Sequence, residues 1–255
     1  MLKTRVIPCL LLKGWGLVKT VHFKNPSYIG DPINTVRIFN EKEVDELIFL
    51  DICATTEGRK PPYKILSEIA SECFMPVTYG GGIRSIEDIR IILSFGIEKV
   101  AINTYTIENP EFIRKAADIF GSQSIVVSID AKRDGFSCYK IHTPFRENID
   151  ELDPVQRAAR AEQLGAGEIL LTSVDRDGTM EGYDLELITK VSHAIGIPVI
   201  ACGGAGSIND FSKAVKLGGV SAVAAGSMFV YQGRSRSVLI NFPTKKELEE
   251  VLPEP

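Results

Sequence analysis

The sequence has no apolar run long enough to span a bilayer. Its most conspicuous run, VIPCLLL at 6–12, has seven residues, is interrupted by Pro8 and is not followed by a small-residue cleavage site, whereas a spanning helix needs about 18–20 apolar residues. Membrane insertion and a secretory leader are therefore not expected, and a soluble cytoplasmic protein is. Basic charge is also scarce. A net charge of −4 and a pI near 5.6 supply no cationic field for nucleic acid. The one local concentration, GRSR at 233–236, reads as a solvated loop that could at most touch an anionic ligand. Five cysteines without a CxxC pair, and three histidines without HxH or HExxH spacing, exclude a zinc site and a disulfide framework. The thiols are expected to be small buried side chains. No metal and no cofactor is expected, and no linker or low-complexity segment divides the chain, so residues 1–255 are read as one domain.

What the sequence does contain is a regular alternation. Short apolar, β-branched runs occur at RVIPCLLL (5–12), ELIFLDI (46–52), PVTYGGG (76–82), KVAINTY (99–105), IVVSIDA (125–131), EILLTSVD (168–175), PVIACGG (198–204) and AVAAGSMF (222–229). Near-continuous apolar runs of this length suit parallel strands covered on both faces. The segments between them have helical periodicity. In SIEDIRIILSFG (85–96), Ile86, Ile89, Ile92 and Leu93 share a face, Ser85 and Asp88 form a capping signal, and Gly96 marks the stop. Eight such units in this length predict an α/β fold of the (β/α)8 barrel type, better than an open doubly wound sheet. The barrel is expected to have two similar halves: Glu46 and Glu168, Pro76 and Pro198, Gly81 and Gly203, Asp88 and Asp210, and Gly96 and Gly218 are each 122 residues apart.

Glycine-rich turns follow the third and seventh runs, YGGGIRS (79–85) and CGGAGS (202–207). Glycine allows backbone N–H groups to approach a phosphate, and a following helix start adds a favourable dipole. With Asn103, Thr104 and Ser227 at the tips of the fourth and eighth runs, the repeat predicts two phosphate sites facing each other across one mouth. The ligand should therefore carry a phosphate at each end. Acids at strand tips, namely Asp51, Asp130, Asp175 and Asp177, are candidates for proton transfer or for loop capping. At the opposite strand ends Arg5, Glu46, Lys99 and Glu168 could close into a ring of alternating charge, or simply be charges at exposed strand starts.

These strings together resemble the cyclase subunit of imidazole glycerol phosphate synthase over roughly residues 1–230. The resemblance is carried by RVIPCL, GDPI (30–33), DELIFLDI, YGGGIRSIED, INT, ENPE (108–111), FGSQ, IDAKRDG, LGAGEILLTSVDRDGTMEGYDLEL (164–187) and PVIACGGAG. It implies a barrel docked by its N-terminal face onto a glutaminase. Ammonia would pass a gate of Arg5, Glu46, Lys99 and Glu168, then attack a bis-phosphorylated ribulosyl ribotide at the opposite face. It further implies phosphate binding by Gly82, Asn103 and Thr104 on one side and by Asp177, Gly178, Gly204, Gly226 and Ser227 on the other. Lys19 would lie on a mobile loop that covers the ligand.

The chain departs from that pattern where the family places one of its two catalytic acids. Asp130 is kept, but Leu11 occupies the other position, and leucine cannot move a proton. HTPFREN (142–148) and the tail from Gly233 also differ from the family pattern. The resulting expectation is a paralogue that still takes ammonia from a glutaminase but serves a changed phosphorylated acceptor. Paralogues of this type resemble those that support amidation of an amino sugar in surface-polysaccharide (O-antigen) biosynthesis. Two alternatives stay open: a working cyclase of histidine biosynthesis, and a non-catalytic ammonia conduit that activates the glutaminase. A related single-chain sugar isomerase shares the half-barrel repeat but does not require the charged ring.

Overall fold

The computed structural model describes residues 4–134, 138–143, 153–233 and 235–252. Pro144 to Asn148 of the divergent HTPFREN segment, and Arg234, lie outside the described residues. Eight parallel strands form the centre: β1 (Arg5–Lys13), β2 (Leu47–Asp51), β3 (Val77–Gly80), β4 (Lys99–Ile102), β5 (Ile125–Arg133), β6 (Glu168–Ser173), β7 (Val199–Cys202) and β8 (Ala222–Ala225). Each pairs in parallel with the next in sequence, and β8 returns to β1 with Arg5 opposite Ala222 and Pro8 opposite Ala225. The sheet is thus a closed barrel without an open edge.

The helices between strands are short and one-sided. α1 (Pro32–Glu41), α2 (Tyr63–Glu72), α3 (Ile86–Ser94), α4 (Glu111–Phe120), α5 (Pro154–Gln163), α6 (Leu185–Ser192) and α7 (Ile208–Lys216) connect successive strands, and α8 (Lys245–Val251) follows β8. Their apolar faces, such as Val36 and Phe39 of α1 or Ile89 and Ile92 of α3, pack on the outward side chains of the strands, including Leu10, Leu12, Phe49 and Val127. The inward side chains form a separate, smaller core of Ile7, Cys9, Ile48, Ala101, Val126, Leu170, Ile200, Ala222 and Ala224. Strands whose two faces are both covered in this way need apolar residues at every position.

The two halves correspond in detail. Ser85 and Asp88 form a reciprocal capping box at the start of α3, and Ser207 and Asp210 do the same at α7. A short helix, Thr104–Glu108, follows β4, and another, Ser227–Val230, follows β8. These helices explain why the fourth and eighth runs end sooner than their apolar character suggests: Asn103 and Gly226 already act as helix caps. Within the GGG turn, β3 likewise ends at Gly80, and Gly81 takes a positive φ of 125°.

Two hairpins were not foreseen from the sequence. β1 turns at Gly14 into the antiparallel strand Gly16–Val21, which pairs Leu11 with Val18 and continues to Lys24–Gly30. β5 turns back into Tyr139–Ile141. Both lie at the C-terminal mouth. The expected burial of all five thiols also needs correction. The cysteines are free, but only Cys9 is fully buried and Cys138, on the exposed β5 hairpin, is open to solvent. Among the described residues no helix is long and apolar enough to cross a membrane.

Candidate active site at the barrel mouth

Inward-facing residues alternate along each strand, so the strands place different chemistry at different heights. β1 points Arg5, Ile7, Cys9 and Leu11 inward, from floor to rim; β5 points Val126, Ser128 and Asp130 inward. At the floor, Arg5 Nη1 donates to Glu46 Oε2 (2.5 Å) and Nη2 to Glu168 Oε1 (2.7 Å). Lys99 Nζ contacts Glu46 Oε2 and Glu168 Oε2, each at 3.2 Å. The four charges alternate around a closed ring. Glu46 is only 1% exposed and also accepts from Thr78 Oγ1 (2.7 Å), so its charge is fully compensated. Burial alone would lower the Arg5 pKa, but the charges of Glu168 and Glu46 outweigh it and hold the guanidinium above its ordinary value. The reading as separate exposed charges is thus replaced by one connected network.

At the opposite end is a cavity of about 390 Å³. Gly82, Asn103 and Thr104 line one side; Asp177, Gly178, Gly204, Gly226 and Ser227 line the other; Lys19, Asp130 and Leu11 also face it. The structure therefore brings every residue of the two expected phosphate sites into a single pocket. Gly82 and Gly204 are among the pocket glycines that admit no side chain: a Cβ on Gly82 would lie 2.7 Å from Arg59 O, and one on Gly204 would lie 2.3 Å from Gly182 O. Both have positive φ, 71° and 110°, so other residues would be strained as well. Ser227 Oγ is buried without a hydrogen-bond partner. A buried polar atom without a partner, at the start of a helical turn and on a cavity wall, suits a bound anion.

Lys19 is only 6% exposed. Its ammonium lies 3.7 Å from Asp177 Oδ1 and close above Gly226, where an added Cβ would meet Nζ at 2.6 Å. The hairpin that carries it is seated over the mouth. His22 N donates to Asp177 O (3.0 Å), Thr20 Oγ1 to Asp177 Oδ2 (2.7 Å) and Phe23 N to the same oxygen (3.2 Å).

Of the candidate acids, three have structural partners. Asp51 accepts both Arg59 Nη1 (2.7 Å) and Nη2 (2.9 Å), as well as the backbone N–H groups of Cys53 and Ala54; it anchors the loop after β2. Asp175 accepts from Arg133 N (2.7 Å), and Asp177 holds the hairpin. Asp130 differs from these: it accepts from Asn103 Nδ2 (2.8 Å) and from Thr172. Burial pushes it up to about 7, the two hydrogen bonds oppose that rise, and the charge of Asp177 adds to it. A carboxyl that titrates near neutrality can both donate and accept a proton. Across the mouth from it, Leu11 is buried (8% exposed) on β1, between Val18 of the hairpin and Leu50 of β2.

Three contributors to the site carry no sequence signal of their own. Thr172, in an apolar strand, supports Asp130. Arg157 of α5, 1% exposed, donates Nη2 to Thr106 Oγ1 (2.5 Å), and Thr106 Oγ1 in turn donates to Asn103 O (2.7 Å). This chain holds Asn103 from behind, and burial lowers the Arg157 pKa to about 10. His142 lines the cavity and its N–H donates to Asp130 O (2.7 Å). The i, i+3 spacing of Asn103 and Thr106 is readable as a cap, but its link to Arg157 depends on tertiary packing.

Comparison with known proteins agrees with this geometry. A family model described as "Histidine biosynthesis protein" matches residues 5–236. A protein of Pseudomonas aeruginosa, provisionally named as an imidazole glycerol phosphate synthase subunit, is 51% identical over 252 residues, covering 98% of this chain and 99% of the relative. A Leptospira interrogans protein with the same provisional name is 47% identical over 250 residues, 98% of each chain. A third, from Vibrio vulnificus, is 44% identical over 256 residues, covering 99% of this chain and 97% of its own length. A match of this extent, together with the closed eight-stranded barrel, shows that the chain belongs to the histidine biosynthesis protein family.

Proposed function

We propose that the protein is the synthase subunit of a glutamine amidotransferase. It would receive ammonia from a glutaminase docked on the N-terminal face of the barrel and deliver it to a phosphorylated acceptor at the mouth. The observation that carries this reading is the closed Arg5–Glu46–Lys99–Glu168 ring at the floor, directly beneath an apolar interior that leads to the cavity. A neutral ammonia molecule can cross an apolar interior, whereas ammonium would lose its hydration there at high cost. A ring whose charges are all paired offers a passage that opens by moving one side chain, and the contacts of Lys99, at 3.2–3.3 Å, are longer than those of Arg5, at 2.5 and 2.7 Å.

The acceptor is held by its phosphates. Gly82, Asn103 and Thr104 would bind one, and Gly178, Gly204, Gly226 and Ser227 the other, with Lys19 closing over it and Asp177 positioning the hairpin. Asp130 is the proton-transfer group. Closure by the hairpin excludes water, which protects a reacting ammonia and strengthens each electrostatic contact.

With leucine at position 11, the cross-mouth pair of acids needed for cyclisation is incomplete. The reaction served is therefore amidation of a different acceptor, an amino sugar of surface-polysaccharide biosynthesis, rather than conversion of the ribulosyl ribotide to imidazole glycerol phosphate and aminoimidazole ribotide. Two measurements test this. Purified protein is given the ribulosyl ribotide with an ammonium salt; turnover equal to that of a relative with an acid at this position would overturn the changed acceptor. Glutaminase binding and activation are measured on wild type and on Lys99→Ala; a wild type that neither binds nor activates the glutaminase would overturn ammonia delivery.

A further inference from the structure

The rim carries a second titratable side chain beside Asp130. In the β5 hairpin Ala131 lies opposite Ile141, Lys132 opposite Lys140, and Arg133 opposite Tyr139. One step further, His142 N donates to Asp130 O at 2.7 Å, which places His142 opposite Asp130. Directly opposed residues of an antiparallel pair project from the same face, with Cα atoms about 4.5–5.5 Å apart. The alternation agrees with this. Ala131 and Tyr139 belong to the apolar layer beneath the helices, and Asp130 and His142 both line the cavity.

The imidazole is held in place. Phe23 of the covering hairpin meets it edge-on, with ring centroids 5.8 Å apart. The charges that act on it are those of Lys132, on the same face of β5, and Asp175, from the loop after β6; by the hairpin register Asp130 lies opposite it and Lys140 two residues before it on its own strand. Burial, then Lys132, moves His142 below its ordinary value, and Asp175 opposes them; Asp130 is displaced upward. Opposite displacements leave a neutral imidazole next to a carboxyl that retains its proton near neutral pH. Two adjacent groups separated in this way have an acid and a base assigned to them by their surroundings.

We propose that His142 is a catalytic proton-transfer residue, paired with Asp130 on one side of the mouth, and that this same-side pair replaces the cross-mouth pair that Leu11 forecloses. The inference rests on the nitrogen-transfer reading above and narrows its acceptor to a phosphorylated carbonyl compound whose reacting carbon lies against the β5 wall. As the ammonia nitrogen bonds to that carbon, the carbonyl π electrons move to oxygen, which takes the proton of Asp130. The new ammonium nitrogen gives one proton to His142. The product is the carbinolamine, and the imidazolium returns its proton to the Asp130 carboxylate.

The test uses the full-length chain. The His142 ring resonance is assigned by its loss in His142→Gln and titrated by NMR in wild type and in Asp130→Asn. Because Asp130 still carries its proton where His142 titrates, Asp130→Asn is expected to leave the His142 midpoint in place, below the ordinary histidine value; a midpoint that falls by about half a pH unit or more shows an ionised Asp130 and overturns the assignment of acid and base. Residual turnover of the ribulosyl ribotide with ammonium salt is then followed against pH. His142→Gln, with His142→Asn as a second variant, is expected to lower kcat by ~10²–10⁴-fold with KM unchanged and to abolish the acidic limb of the profile. Equal turnover by wild type and both variants overturns the catalytic role. Glutaminase binding by wild type is scored separately. Its absence alongside an unmoved, low His142 midpoint and His142-dependent turnover sinks ammonia delivery alone, and the converse result sinks the same-side pair alone.

Discussion

The floor and the rim of the barrel are built from the same strands but follow opposite rules. At the floor, β1 supplies Arg5, and each of the four ring charges has partners of opposite sign within hydrogen-bonding distance. Six residues further along β1 the inward position is Leu11, paired with Val18 and Leu50, while β5 places Asp130 where burial drives its pKa upward. Charges at the floor neutralise each other and define a structure. Asp130, alone among the rim acids in having its pKa pushed upward, is held at an energetic disadvantage, the usual condition of a group retained for chemistry. On the proposed reading, one end of a barrel can keep its architecture while the other changes its reaction.

Restoring symmetry at the rim should have the largest effect. Leu11→Asp is expected to raise ammonium-dependent turnover of the ribulosyl ribotide by ~10²–10⁴-fold if the rim otherwise remains a cyclase site, measured as kcat on the purified chain. No gain would show that the rim has diverged beyond one residue. Breaking the floor should come next. Glu46→Ala leaves Arg5 and Lys99 short of a buried partner and is expected to cost about 3–5 kcal/mol in denaturant unfolding, the range for one half of a buried ion pair.

A smaller effect separates the two regions by pH. The folded-state pKa of Asp130 is raised above its unfolded value to about 7, so the folded chain binds more protons at this site, and the contribution of Asp130 to stability falls as pH rises from the unfolded to the folded value. Asp130→Asn should remove that loss. Its Tm relative to wild type is expected to be higher at about pH 8 than at about pH 5, by roughly 2–4 °C for each kcal/mol relieved. An unchanged difference across pH would show that the carboxyl is not so displaced. The smallest effect is a control away from both regions. Arg90→Ala removes an exposed i, i+3 contact with Glu87 at 3.4 Å and should change stability by no more than about 0.5 kcal/mol.

The parts of this arrangement that were legible in the sequence are those that depend on local or periodic signals. The eight apolar runs and the repeat offset of 122 anticipate the closed barrel, and Ser85 with Asp88 anticipates the start of α3. The glycine turns anticipate where the mouth would approach an anion, because few other residues fit at Gly82 and Gly204. The less legible features depend on partners that only the fold brings together. Asp51 looked equivalent to Asp130 as an acid at a strand tip, and only the bidentate contact from Arg59 sets it apart as an anchor. His142 has no motif; it reaches the cavity because a hairpin register places it opposite Asp130. The covering hairpin was read as a loop because KGWGLVKT and VHFKNPSY lack the long apolar runs of the barrel strands.

If the turns at Gly204 and Gly226 hold a phosphate as proposed, Lys19 is the cation beside it, and it is already engaged with Asp177. An arriving phosphate must therefore compete with an internal carboxylate for the same ammonium, and its measured affinity is a difference between two ion pairings rather than the strength of one. On that reading the arrangement favours exchange over simple filling: a mouth whose ammonium is already paired with a carboxylate is not a bare cationic well that collects stray anions.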